Sequence, residues 1–86
     1  MTASSAFAVT VHNRDDVTRQ VTFDKGVDEV MHPAEAGQSV TEPCPTGCAV
    51  RVVGRGHDFL AKDGDALAIE DMVVVRDTGA QEPAIQ

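Results

Sequence analysis

Valine dominates the apolar side chains of this chain: thirteen residues are Val, against two Leu (Leu60, Leu67) and two Ile (Ile69, Ile85). A side chain branched at Cβ is stiff at its first torsion, so it suits a pleated surface better than a helix. The placing of these residues agrees. Phe7, Val9 and Val11 alternate with Ala8, Thr10 and His12, which is the period-two pattern of a half-buried strand. Asn13-Arg14-Asp15-Asp16 reads as a turn. Val17, Val21 and Phe23 then mark a second strand, with Thr18, Gln20 and Thr22 on its other face. Arg19 falls on the apolar side of that strand, near an edge where its head reaches water.

The rest of the chain keeps the same rhythm. Asp24-Lys25-Gly26 leads into a weaker strand from Val27 to Met31, and the first two or three strands read as a meander. His32 to Gly37 is expected to be a loop, because Gly37 follows Pro33 too soon for more than one helical turn. Gln38 to Glu42 forms a short strand, and Ala49 to Val53 is the clearest core strand, ended by Gly54-Arg55-Gly56. Phe59–Ala61 and Ala66–Ile69 flank Lys62-Asp63-Gly64-Asp65, where Asp-Gly signals a hairpin. Glu70-Asp71 turns the chain into Met72–Val75. Short strands with turns about every 8–12 residues predict an all-β fold, a small antiparallel sandwich or barrel of about 7–8 strands. The expected organisation is a single β domain over 1–76, followed by a flexible tail over 77–86 that has Gly79 and Pro83 and lacks periodicity.

Charge narrows the function classes. Fourteen acidic residues against seven Lys plus Arg leave a net charge of −7, and Gly26 to Val50 has no Lys or Arg at all. A phosphate backbone needs a basic footprint and base stacking needs aromatic platforms. With three Phe and no Trp or Tyr, neither nucleic acid nor an anionic membrane is an expected partner. No run approaches the ~18–20 apolar residues of a membrane span. Met1 to Phe7 has no positive region and no apolar stretch of signal-peptide length, which leads to the expectation of a cytoplasmic protein.

The two cysteines, in Cys44-Pro45-Thr46-Gly47-Cys48, bracket a near-ideal turn. Pro45 presets the first corner of a type I turn, and Gly47 can take the left-handed conformation that closes a three-residue hairpin loop. In a reducing compartment the default is a pair of reduced thiols that help pack the turn, with an internal disulfide as an alternative. A shared zinc or copper ion is another, since thiols with two to four residues between them form half of a common site. His12 and His32 are scattered, so the best third ligand is His57, just beyond the strand that Cys48 begins. Redox catalysis is disfavoured: the oxidoreductase motif has two intervening residues at a helix N-terminus, and surrounding acids raise a thiol pKa.

Other groupings are weaker. Asp63-Gly64-Asp65, within the run Asp58, Asp63, Asp65, Glu70 and Asp71, shares a fragment with calcium loops but lacks the twelve-residue pattern and its closing Glu. Ser4, Ser5 and Ser39 lie in no nucleophile elbow, and there is no Gly-rich phosphate loop. A chain this short is expected to have little room for a pocket of roughly 300 Å3. The stretch Val9-Thr10-Val11-His12-Asn13-Arg14-Asp15-Asp16-Val17-Thr18-Arg19-Gln20-Val21-Thr22-Phe23-Asp24 resembles the early strand pair of cupredoxins, where an Asn and an acidic turn precede a copper-binding His. The resemblance implies a β-sandwich. It speaks against blue copper, because Arg19 stands where that His would be. Cys48 is also followed by Ala49-Val50-Arg51 and not by a nearby His and Met.

The function expected from these features is non-enzymatic: a protein-binding or structural accessory module with no cofactor. It takes a protein partner, or a second copy, along an exposed strand edge. The alternative is a small metal-binding protein using Cys44, Cys48 and His57, or a thiol redox protein using the Cys44/Cys48 hairpin.

Overall fold

The alternation of β-branched residues yields eight strands in the computed structural model, which describes residues 8–77. They are β1 (Val9–Asn13), β2 (Arg19–Asp24), β3 (Glu29–Ala34), β4 (Ser39–Glu42), β5 (Cys48–Val52), β6 (Phe59–Ala61), β7 (Ala66–Glu70) and β8 (Val73–Arg76). Two four-stranded sheets result, ordered β4-β1-β7-β8 and β3-β2-β5-β6. All pairings are antiparallel except that of β1 with β7, which is parallel. The fold is therefore a sandwich and not a closed barrel. Val9, Val11, Leu67, Ile69 and Val74 face Val21, Phe23, Val50 and Val52 across the core, as two inner sheet faces should. No helix among the described residues is long and apolar enough to cross a membrane. Phe7 and all of the expected tail except Asp77 lie outside the described residues; Asp77 itself is buried.

Turn chemistry located the chain reversals but not the sheets they join. β1 and β2 lie in different sheets, so the chain does not begin as a meander. The Cys44–Cys48 turn joins β4 to β5, and the Asp-Gly turn joins β6 to β7; both cross between sheets and neither is a hairpin. True hairpins join β2 to β3, β5 to β6 and β7 to β8. The expected loop at His32-Pro33-Ala34 is strand, extending β3. Its proline is tolerated because β3 is an edge strand, where a missing N–H costs no ladder bond on the outer side.

Asn13 holds the corner between the sheets. It is fully buried, and its Nδ2 donates to the carbonyls of Val17 and Ala34, each at 2.8 Å. Its Oδ1 accepts from the Asp15 N–H at 2.9 Å. Asp15 in turn organises a distant hairpin. The β7–β8 turn places two non-glycine residues in the left-handed region, Asp71 (φ 56°) and Met72 (φ 68°), the geometry for which Asn-Gly is the preferred pair. Asp15 Oδ1 accepts the Asp71 N–H at 2.7 Å, Oδ2 accepts the Met72 N–H at 3.0 Å, and Arg19 Nε donates to the same carboxylate at 2.8 Å.

Burial pushes the Asp15 carboxyl up, yet the two backbone donors and Arg19 outweigh it and hold its pKa below the ordinary carboxylate value. A lowered folded pKa contributes stability that is present above the unfolded value of about 3.9 and is lost as pH falls through the folded one. Asp15→Asn is expected to cost about 1 kcal/mol at neutral pH, the size of a lost capping interaction. It should also flatten the acid limb of stability against pH below about 4. Urea unfolding of both proteins from neutral to acidic pH checks this; parallel acid limbs would contradict it.

Candidate functional site

At the cysteine turn the local chemistry is as read from the sequence. The Gly47 N–H donates to the Cys44 carbonyl at 3.0 Å, and Gly47 has φ 93°. Asp63 Oδ1 accepts the Cys44 N–H at 2.6 Å, tying this crossover to the next one. The thiols are not reduced: Cys44 and Cys48 form a disulfide with Cα atoms 5.8 Å apart. The residues are 1% and 7% exposed, so an attacking thiolate has little access to either sulfur. With the sulfurs bonded to each other, neither is the thiolate a zinc or copper ion requires. His57 lies exposed in the loop between β5 and β6, its N–H donating to the Arg55 carbonyl at 2.9 Å. Among the described residues no three His, Cys, Asp or Glu side chains group to hold a metal. The expected set of Cys44, Cys48 and His57 is thus not assembled in this structure.

The structure does bring together residues the sequence reading left apart. His12 and Ser39 are directly opposed on β1 and β4, and His12 Nδ1 lies 2.8 Å from Ser39 Oγ. With Thr10, Arg14, Gly64, Asp65, Ala66 and Asp77 they line an open hollow of about 410 Å3 on the outer face of the first sheet. At its rim Arg14 donates to Glu70 at 3.2 Å and also pairs with Asp77. Burial raises the Asp65 carboxyl, but the Lys62 N–H and Arg76 lower it more. A serine beside a histidine invites a nucleophilic reading, which needs a group that orients the imidazole. Among the described residues no carboxylate accepts a hydrogen bond from His12 beside the Ser39 contact. As opposed polar residues on neighbouring strands, the two add a cross-strand hydrogen bond.

A second open hollow, of about 440 Å3, lies beside the disulfide and is lined by residues including Lys25, Gly47, Cys48, Ala49 and Leu60. These two volumes correct the expectation that the chain has little room for a hollow of that size. The second hollow adjoins the β6 end of its sheet. Phe59 faces inward opposite Val50, and Ala61 opposite Cys48, while Leu60 points out and is 79% exposed. Arg51, on the same outer face, reaches Asp58 at 3.1 Å and Glu29 at 3.3 Å. Its hydrogen bond to Asp58 pushes its pKa up.

The other edges carry guards, although β3 also leaves Met31 57% exposed. β3 carries Pro33. The gap between β3 and β4 is clasped by Glu42, which meets His32 Nε2 at 2.8 Å and pairs with Lys25. Those hydrogen bonds, from Lys25 foremost, hold the Glu42 carboxyl below its ordinary pKa. The β4 edge turns polar Ser39 and Thr41 outward. β8 leans on β6 through Arg76, whose guanidinium sits 5.4 Å from the Phe59 ring centre.

Leu60 was missed in the sequence because Phe59, Leu60 and Ala61 are all apolar, so alternation there cannot choose a face. Its one signal is the bracket of opposite charges, Asp58 and Lys62. In comparisons with protein-family models, curated proteins and solved structures, nothing matches this chain.

Proposed function

We propose that this chain is a non-catalytic protein-binding module that takes an extended partner segment alongside β6. The observation that carries the reading is Leu60, a large apolar side chain 79% exposed on an edge strand. Native sheets blunt such edges with proline, charge or cover, and this molecule does so at β3 and β4. Added strands gain affinity from main-chain hydrogen bonds and specificity from alternate side chains. On this face the alternate positions meet Leu60 and the hollow beside it. The net charge of −7 favours a basic segment over an acidic one.

A synthetic seven-residue peptide of alternating Val and Lys is a suitable probe. Titrated to about 1 mM, an affinity worth roughly 4 kcal/mol, it is expected to shift the amide resonances of Asp58 to Lys62. The resonances of β3 and β4 should stay unchanged. No shift at β6, or equal shifts at every edge, would remove the reading.

A further inference from the structure

The segment Asp58-Phe59-Leu60-Ala61-Lys62 is complementary to itself when reversed. An antiparallel pairing of β6 with β6 of a second copy, centred on Leu60, sets Leu60 against Leu60. It sets Phe59 against Ala61, large against small, and Asp58 against Lys62 on both sides of the two-fold axis. Side chains alternate between faces along a strand, so Asp58, Leu60 and Lys62 share the outer face with their counterparts. Both charges are within reach of solvent, although Asp58 must share its carboxylate with Arg51, 3.1 Å away. Lys62 is 77% exposed, with only a 3.7 Å approach to Asp65, and Asp58 is half exposed.

We infer that the occupant of the β6 edge is a second copy of this chain, held in this register so that the two sheets join into one eight-stranded sheet. The inference rests on the reading of β6 as a strand-accepting edge and names its partner. A two-fold contact is isologous, each residue meeting its complement twice, so the two charge pairs and the leucine pair recur from a single short segment. Two copies each carrying −7 repel at long range. At about 0.15 M salt the screening length is about 8 Å, which mutes that repulsion while leaving directly opposed groups in contact. Five paired residues per copy lie well below a standard interface, so the dimer is concentration-dependent.

Sedimentation equilibrium up to about 1 mM chain, at about 0.15 M salt, is expected to show monomer and dimer. Leu60→Glu places two carboxylates directly opposite each other and is expected to leave monomer alone. Its melting temperature should hold, because Leu60 is not part of the buried core. Asp58→Lys and Lys62→Asp, made singly, set like charges across the axis and are each expected to weaken the dimer at least tenfold. The double variant restores opposite charges between copies and is expected to recover dimerisation. It does not restore the Arg51 contact of Asp58, so recovery separates pairing between copies from a role within one.

A wild-type chain that stays monomeric throughout, or a dimer indifferent to Leu60→Glu, would overturn the pairing. If the Val-Lys peptide still shifts the β6 amides in that case, the edge reading stands and only its occupant is wrong; if it does not, both fall.

Discussion

Asn13→Ala is expected to lower the unfolding free energy by about 3 kcal/mol, the largest loss foreseen for any single side chain outside the apolar core. The fully buried Asn13 amide makes three hydrogen bonds, to the Val17 and Ala34 carbonyls and from the Asp15 N–H. Removing it strands three backbone groups at once. A buried polar group left without its partner costs about 1–3 kcal/mol. Here the Ala34 bond is buried and the other two are partly buried, where water can replace them, which places the total at the low end of the summed range. The site also sits where the chain passes from one sheet to the other, so the loss loosens the β1–β2 connection and the end of β3 together. It would release Asp15 too, and with it the clamp on the β7–β8 turn.

A chain of this length holds roughly 4–13 kcal/mol in all, so the variant should melt some 12–24 °C lower. Urea unfolding is the direct measurement. Asn13→Asp is a useful companion: it keeps the acceptor for Asp15 but turns a carboxylate toward two carbonyl oxygens. It is expected to do at least as much harm at neutral pH. A loss below about 1 kcal/mol for both variants would mean that water or neighbouring groups take over these bonds.

Reducing the Cys44–Cys48 disulfide is expected to cost about 2 kcal/mol. The bond closes a loop running only from Cys44 to Cys48. The loop-entropy relation gives about 2 kcal/mol for a loop that short, against about 3 for fifteen residues. Reduction of the wild type is the cleaner experiment, because the sulfur atoms stay in place and no cavity is made. The midpoint of thermal unfolding should fall by roughly 8–16 °C and return on reoxidation. The double variant Cys44→Ala with Cys48→Ala should fall further, since both buried sulfur atoms are then lost from the core. An unchanged midpoint on reduction would show that the Gly47–Cys44 turn and the Asp63 carboxylate already restrain the unfolded loop as well as the covalent bond does.

Much of the fold could be read from local chemistry. Strand character followed from valine and from alternation, and seven of the eight strands lie within two residues of where the pattern puts them. The exception in length is β3, which runs on through His32-Pro33-Ala34; proline looks like a strand breaker until the strand is known to be at an edge. The corner at Pro45 and Gly47 was equally legible, because a turn is made by the residues within it. What the turns join was not. A reversal between strands of one sheet and a crossover between two sheets use the same dihedrals, and the β1–β2 connection reads as the first kind but is the second.

The candidate site was less legible still. Alternation chooses a face only where polar and apolar residues take turns. Phe59-Leu60-Ala61 offers no such contrast, so the exposure of Leu60 depended on the pairing of Phe59 with Val50 and Ala61 with Cys48. His12 and Ser39, twenty-seven residues apart, became neighbours only through the β1–β4 register. Asp15 met Asp71 and Met72 from the far end of the chain.

The sequence by itself determined that this protein is a small acidic all-β domain with a tightly specified turn at Cys44–Cys48. Composition, period and turn residues act over a few positions, and those quantities need nothing more. Only the tertiary structure decided that the sheets stack as a sandwich, that the two thiols are joined, and that Leu60 stands uncovered at an open edge. Each of these depends on which strands lie side by side, and that is a property of long-range packing that no local window contains.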